Sequence, residues 1–327
     1  MTSERNYCLD NFKAILMFTV VLGHLYELII FPTSRFQYLI IYSFHMPAFA
    51  FISGLCFKRT DDNKLFKNVL YPYIIFQTFY TLLLFFKDSP ESNLTLQYYT
   101  PYWALWYLLA LFLWCALANI ISDSKKSGAI ILILTFIIAI LVGYDNKIGY
   151  YLSLSRTVVY FPMFFAGVYI SSCAPNLITK LKNIKSLRFI SVGLILISVF
   201  FLYLYRNSIT PSWFYNSSAY SVNGCGLLFR IINYLLAIVF ILFFILFLPN
   251  KRIPFITYIG QNTVSVFVLH IFIIRFLPTK LLLEWLPVPA VSVVLLALII
   301  TAVLSSRPVN ALFSPLLHWP FGRKKHV

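Results

Sequence analysis

The chain has 327 residues, 60% of them hydrophobic and only 11% charged, with a mean hydropathy of +0.83, which is too apolar for a water-soluble domain of this size. Its formal charge of +16 invites a nucleic-acid reading, but the basic residues cluster where a membrane protein carries them. An integral membrane protein is the class that remains. Ionisable residues within its spans are functional candidates, because a charge at bilayer depth costs about 3 kcal/mol or more on insertion scales.

Hydropathy and chain breaks predict ten spans, at about 12–31, 38–57, 69–86, 102–121, 128–144, 157–172, 189–205, 231–248, 258–276 and 290–306, each near the length a tilted helix needs. The expected fold is all-α, a polytopic membrane bundle of about ten transmembrane helices, with residues 1–327 forming a single membrane domain. An even count puts both termini on one side. With the termini inside, most of the 26 Lys and Arg residues fall in inner segments, so the positive-inside rule makes both termini cytoplasmic. The basic excess is then a topology signal, and no nucleic-acid partner is expected. The N-terminal MTSERNYCLDNFK is polar and contains acids, and no small-residue cleavage site follows the first apolar run, so that run is read as a retained helix. The five cysteines are scattered and make neither a disulfide framework nor a metal-ligand spacing.

Span one carries KAILMFTVVLGHLYE, from Lys13 to Glu27. Lys13 and His24 share a helix face and lie about 16 Å apart along the axis. Asp10, three residues before Lys13, and Glu27, three after His24, fall on or near the same stripe. A carboxylate beside an imidazole can fix its tautomer and steady the imidazolium formed when it accepts a proton, as a general base requires. A lone histidine in a span is equally well a satisfied buried ring bonded to a neighbouring helix. Two further histidines bear on the choice. His45 in span two and His270 in span nine fall at nearly the same depth as His24, roughly 10 Å below the outer surface at a rise of ~1.5 Å per residue.

Near that depth span four begins with Trp103, Trp106 and Tyr107, which suit either an interfacial aromatic belt or a sugar-stacking surface. Arg156 before span six and Arg275 at the end of span nine are either snorkelling anchors or binders of a polar substrate. At the inner face KRTDDNKLFK groups Lys58, Arg59, Lys64 and Lys67. This cluster suits either positive-inside anchoring or a polyphosphate cofactor.

The segments LDNFKAILMFTVVLGH, SFHMPAFAFISGLCFK, PYWALWYLLALFLW, YFPMFFAGVYI and IGQNTVSVFVLHIFI resemble, in order, the membrane-bound O-acyltransferases of acyltransferase family 3, in particular the branch similar to fucose 4-O-acetylases. The resemblance implies a ten-helix domain that moves an acyl group, commonly acetyl, from acetyl-CoA to a hydroxyl of a cell-surface polysaccharide or its lipid-linked precursor. It also implies residence in the inner membrane of a bacterium. The family's essential histidine maps onto His24 and its preceding cation onto Lys13. Its basic Arg-x-x-Arg element is matched by Lys64 and Lys67, which lack the planar arginine fork.

The expected roles follow. His24 takes the proton of the acceptor hydroxyl as it attacks the thioester, Glu27 supports it, and His45 polarises the carbonyl or positions the sugar. Lys13, Lys58, Arg59, Lys64 and Lys67 hold the CoA phosphates, while Asp10, Trp103, Trp106, Tyr107, Arg156 and His270 contact the acceptor. An acetyl-histidine route is also open at this point. The rival readings are a transporter or flippase of glycan precursors and a glycan polymerase, both of which would work without acyl-CoA.

Overall fold

The computed structural model describes residues 5–28, 34–88, 96–121, 125–278 and 289–319. Among these, every regular element is helical. In chain order they are α1 (Tyr7–Leu28), α2 (Arg35–Leu55), α3 (Asp62–Leu65), a π-helical turn (Phe66–Leu70) leading into α4 (Tyr71–Asp88), and α5 (Trp106–Ile120). Then come α6 (Lys125–Leu141), α7 (Leu154–Cys173), α8 (Leu177–Asn183), α9 (Lys185–Leu204), α10 (Tyr220–Asn223) and α11 (Leu227–Phe247). The chain continues through α12 (Pro254–Gln261), α13 (Thr263–Phe276), α14 (Pro289–Ser305) and α15 (Arg307–Leu317).

Among the described residues eight helices are long and apolar enough to cross a membrane, and two bent pairs raise the number to as many as ten. The first eight predicted spans each match one long helix to within a few residues. The tenth prediction, 290–306, matches α14, whereas the ninth differs from its prediction. Residues 258–276, read as one helix, are α12 and α13 meeting at 78°. The break is at Asn262, whose backbone leaves helical geometry (φ −118°, ψ 35°) while its side-chain amide donates to the Tyr258 carbonyl at 2.8 Å. After α14 the chain turns by 64° into α15. Ser306 is extended there (ψ 155°), and a proline in the first turn of α15 starts a new helix more readily than it continues an old one.

Helices α1, α2 and α7 are central, and α6 and α9 peripheral: 78% of the α2 span is buried against 17% of α9. The outward faces carry large apolar side chains such as Ile133, Ile137, Phe189 and Ile197. Apolar burial drives helix association weakly in lipid, so close backbone packing at small residues matters more. Two glycines supply it between α2 and α7. A Cβ at Gly54 would lie 1.9 Å from the Phe164 carbonyl oxygen, and one at Gly167 would lie 2.2 Å from that of Phe51. The same device joins α12 to α1, where a Cβ at Gly260 would come within 1.8 Å of the Asp10 carbonyl oxygen.

Polar contacts reinforce that second junction. Asn11 is fully buried and donates to the carbonyls of Pro249 and Lys251 at 3.3 and 3.1 Å, while its own oxygen accepts from the Thr257 hydroxyl at 2.7 Å. The start of α1 is thereby fixed to the chain between α11 and α12, and the orientation of its far end, where His24 lies, is fixed with it.

Candidate active site

A cavity of about 350 Å³ lies at the end of the bundle where α1 finishes; its walls include His24 and Glu27 of α1, Tyr42 and His45 of α2, and Arg156 and Tyr160 of α7. The connecting segments contribute Trp103, Tyr150, Ser153 and Tyr215. One turn of helix separates His24 from Glu27, and the His24 Nδ1 lies 3.2 Å from a Glu27 oxygen. The other Glu27 oxygen accepts from the Tyr42 hydroxyl at 2.5 Å and the Tyr38 hydroxyl at 3.1 Å. Three donors on one carboxyl group suit an ionised, acceptor-only carboxylate. With Glu27 accepting, the His24 proton resides on Nδ1 and Nε2 carries the lone pair.

His45 and His270 share this tautomer. Each directs Nδ1 at the carbonyl four residues earlier, Ile41 at 2.8 Å and Val266 at 3.0 Å, and a carbonyl can only accept. The His45 Nε2 is consequently an acceptor, better matched to a sugar hydroxyl than to polarising a carbonyl. His270 does not itself line the cavity. Its ring stacks on that of His24 at 5.4 Å, and its Nε2 is buried without a hydrogen-bond partner among the described residues.

Trp103 covers His24, with ring centroids 4.2 Å apart. Its position is built from α4. The Gln77 side chain accepts from the Tyr102 amide at 2.8 Å and donates to the carbonyls of Gln97 and Thr100 at 2.8 and 3.1 Å, pinning the chain that precedes Trp103. Trp103 has φ 43°, and Leu152, Ser153 and Asn216 have φ of 50°, 48° and 51°. Left-handed non-glycine residues cost on the order of 1–3 kcal/mol each, and here they gather around one cavity. Hydrogen bonds hold Asn216 there: the Ser155 hydroxyl donates to the Asn216 carbonyl at 2.8 Å, and the Asn216 amide donates to the Tyr160 hydroxyl at 3.1 Å.

Tyr38, Tyr42 and Tyr215 were not singled out by the sequence. Tyr38, Tyr42 and His45 sit at i, i+4 and i+7 on one face of α2, a spacing that was visible, but tyrosines in spans are common and only the convergence of their hydroxyls marks these two. Tyr215 comes from a loop and hydrogen-bonds Tyr38. A second cavity of about 390 Å³ is lined by Tyr26, Glu27, Arg35, Tyr38 and Tyr215, so Glu27 and Tyr215 line both hollows and stand between them.

Burial, reinforced by the nearby Glu27 charge, pushes the Tyr215 phenol up to about 12. A raised phenol contributes stability in full below its unfolded value of about 10 and loses it as pH climbs through the folded value. The gap in melting temperature between wild type and Tyr215→Phe should therefore stay constant below about pH 10 and narrow between 10 and 12. A gap that widens there would contradict the placement.

The remaining predicted residues are placed as follows. Tyr107 is buried outside the cavity lining and hydrogen-bonds Ser53 at 2.8 Å. Trp106 lines the cavity, and Arg275 lies over the Trp103 ring at 5.1 Å. Asp10 is buried at the opposite end of α1, paired with Arg5 and Lys13 at 2.8 Å each. Arg59 donates to the carbonyls of Asn119 and Ile121, closing the C-terminal end of α5. Lys67 lies 5.9 Å from the Trp319 ring, while Lys58 and Lys64 are exposed. Among the described residues no three His, Cys, Asp or Glu side chains are grouped to hold a metal ion.

The family model described as an acyltransferase domain, that of acyltransferase family 3, matches residues 6–307. The chain belongs to acyltransferase family 3. Among curated proteins and among solved structures nothing matches it. Family 3 membership, together with the long apolar helices, makes this a multi-pass membrane acyltransferase.

Proposed function

We propose that this acyltransferase is an O-acetyltransferase, moving acetyl from acetyl-CoA to a sugar hydroxyl of a cell-surface polysaccharide or its lipid-linked precursor, as in the fucose 4-O-acetylase-like branch, in a bacterial inner membrane. The observation that carries the reading is the His24–Glu27 pair on a cavity wall. The acceptor hydroxyl gives its proton to Nε2 of His24 as its oxygen attacks the thioester carbonyl. The new C–O bond forms, the C–S bond breaks, and the proton passes from His24 to the departing thiolate, restoring the neutral ring. Glu27, holding Nδ1, supports the transient imidazolium. His45 accepts a hydrogen bond from the sugar, and Trp103 offers it a stacking face.

With cytoplasmic termini this cavity sits in the outer half of the bundle, and the exposed Lys58 and Lys64 face the compartment that holds CoA. Lys13, Arg59 and Lys67 are engaged with Asp10, the α5 carbonyls and Trp319, so Lys58 and Lys64 are better disposed toward the CoA phosphates. The test is thiol release from acetyl-CoA by the purified full-length protein with and without a glycan acceptor, and mass spectrometry of the acceptor. Acceptor-dependent release with an acetyl group gained is the expected result; no acetylated product from any of a broad set of glycans would refute it.

A further inference from the structure

We infer that the acceptor carries an oxyanion, a carboxylate or a phosphate diester, held by Arg156 while its hydroxyl faces His24. The inference rests on the transferase reading above and specifies its substrate. Among the described residues that line the cavity, Arg156 is the one Lys or Arg. Its guanidinium carbon lies 5.1 Å from the Trp106 ring centroid and 5.7 Å from that of Tyr150, so two aromatic rings restrict it without using its donors.

A guanidinium has five N–H donors and accepts nothing. Other arginines of this chain spend theirs on carbonyls: Arg35 on Arg206 and Ile209, Arg59 on Asn119 and Ile121, Arg230 on Ala139. Among the described residues Arg156 has no hydrogen-bond acceptor, and the ion pairs join Arg5 and Lys13 to Asp10 and His24 to Glu27. The nearest candidate counterion in the cavity, Glu27, is already committed to three donors.

A cation partly withdrawn from water and left without acceptors is costly unless something supplies them. The planar fork matches the two oxygens of a carboxylate or phosphate. Arg156 also stands in the first turn of the 20-residue α7, whose start has no side-chain cap, so the positive end of the helix dipole adds to the same field. A cavity of about 350 Å³ is near the lower limit for small-molecule sites. A sugar ring lodged in it can meet both His24 and Arg156.

The experiment uses purified full-length protein and two matched acceptor pairs: an oligosaccharide bearing a uronic acid against its methyl ester, and a glycosyl phosphodiester against the same sugar without phosphate. Wild type is expected to use the charged member of one pair at least about tenfold better in kcat/KM, the difference lying in KM. The pair that shows it identifies the anion. Arg156→Gln should erase the ratio, and Arg156→Lys should restore part of it, keeping the charge without the fork. Equal use of both members of both pairs overturns the inference.

A binding arm separates this result from the fate of the transferase reading. Thermal-shift titration of His24→Ala with the same four compounds should keep the preference for a charged member. Should no acceptor be acetylated by wild type yet charged compounds bind selectively, the transferase reading fails and the anion site stands. Absence of charge selectivity in binding as well would remove the site.

Discussion

Replacing His24 with alanine is expected to lower acetyl transfer by about 10²–10⁴-fold, the usual contribution of a general base, with the protein still present in the membrane at wild-type abundance. The abundance expectation follows from position: the His24 side chain is on a cavity wall, so its loss enlarges a hollow and gives up only a 3.4 Å contact with Tyr42 and a ring contact with His270 between helices, while the glycine-mediated helix packing is untouched. Glu27→Gln should also cripple transfer, since the amide no longer offers the imidazolium a charge. Tyr42→Phe leaves that charge in place and removes one of its three donors, so its effect should be smaller than that of Glu27→Gln. Wild-type acetylation by His24→Ala, measured as acetylated product per mole of purified protein, would overturn the assignment.

A large effect on stability is expected at Gly54. Gly54→Val places atoms where the Phe164 carbonyl oxygen stands, with even the first added carbon only 1.9 Å from it. Ordinary overpacking costs about 1–3 kcal/mol because side chains yield. A helix backbone yields far less, and α2 and α7 would have to part. The expected outcome is little or no monodisperse protein on size-exclusion chromatography. Gly193→Ala is the control, since a Cβ there meets nothing within 4 Å and alanine favours a helix by about 0.5–1 kcal/mol. Recovery of Gly54→Val at the wild-type melting temperature would mean that the α2–α7 contact is not as described.

Much of this architecture can be read from the sequence, because apolar runs of span length separated by polar breaks are a strong signal. The bend at Asn262 is less visible. Gly260-Gln261-Asn262 is a short polar interruption that a hydropathy window averages away, and what bends the chain there is a side-chain amide returning to Tyr258 and a glycine seated on α1. At the site, the i, i+3 spacing of His24 and Glu27 identifies a pair that the structure joins at 3.2 Å. The tyrosines that complete it come from α2 and from the loop after α9, and spacing within one helix carries no information about a neighbour. The basic residues show the complementary limit. Charge and position mark Lys13 and Arg59 as phosphate binders, yet their partners, Asp10 and the last carbonyls of α5, emerge only when helices are assembled.

The glycine seam between α2 and α7 has a consequence for selectivity. His45 rides on one of these helices and Arg156 on the other, and a seam without side chains leaves neither helix room to slide or spread. The hollow between them behaves as a caliper of set width, so a single regioisomer of the acceptor should be modified, with neighbouring hydroxyls on the same ring left bare. Retargeting the enzyme to a different position would then require rebuilding the rim segments that carry Trp103 and Tyr215, because the helical jaws cannot be reset.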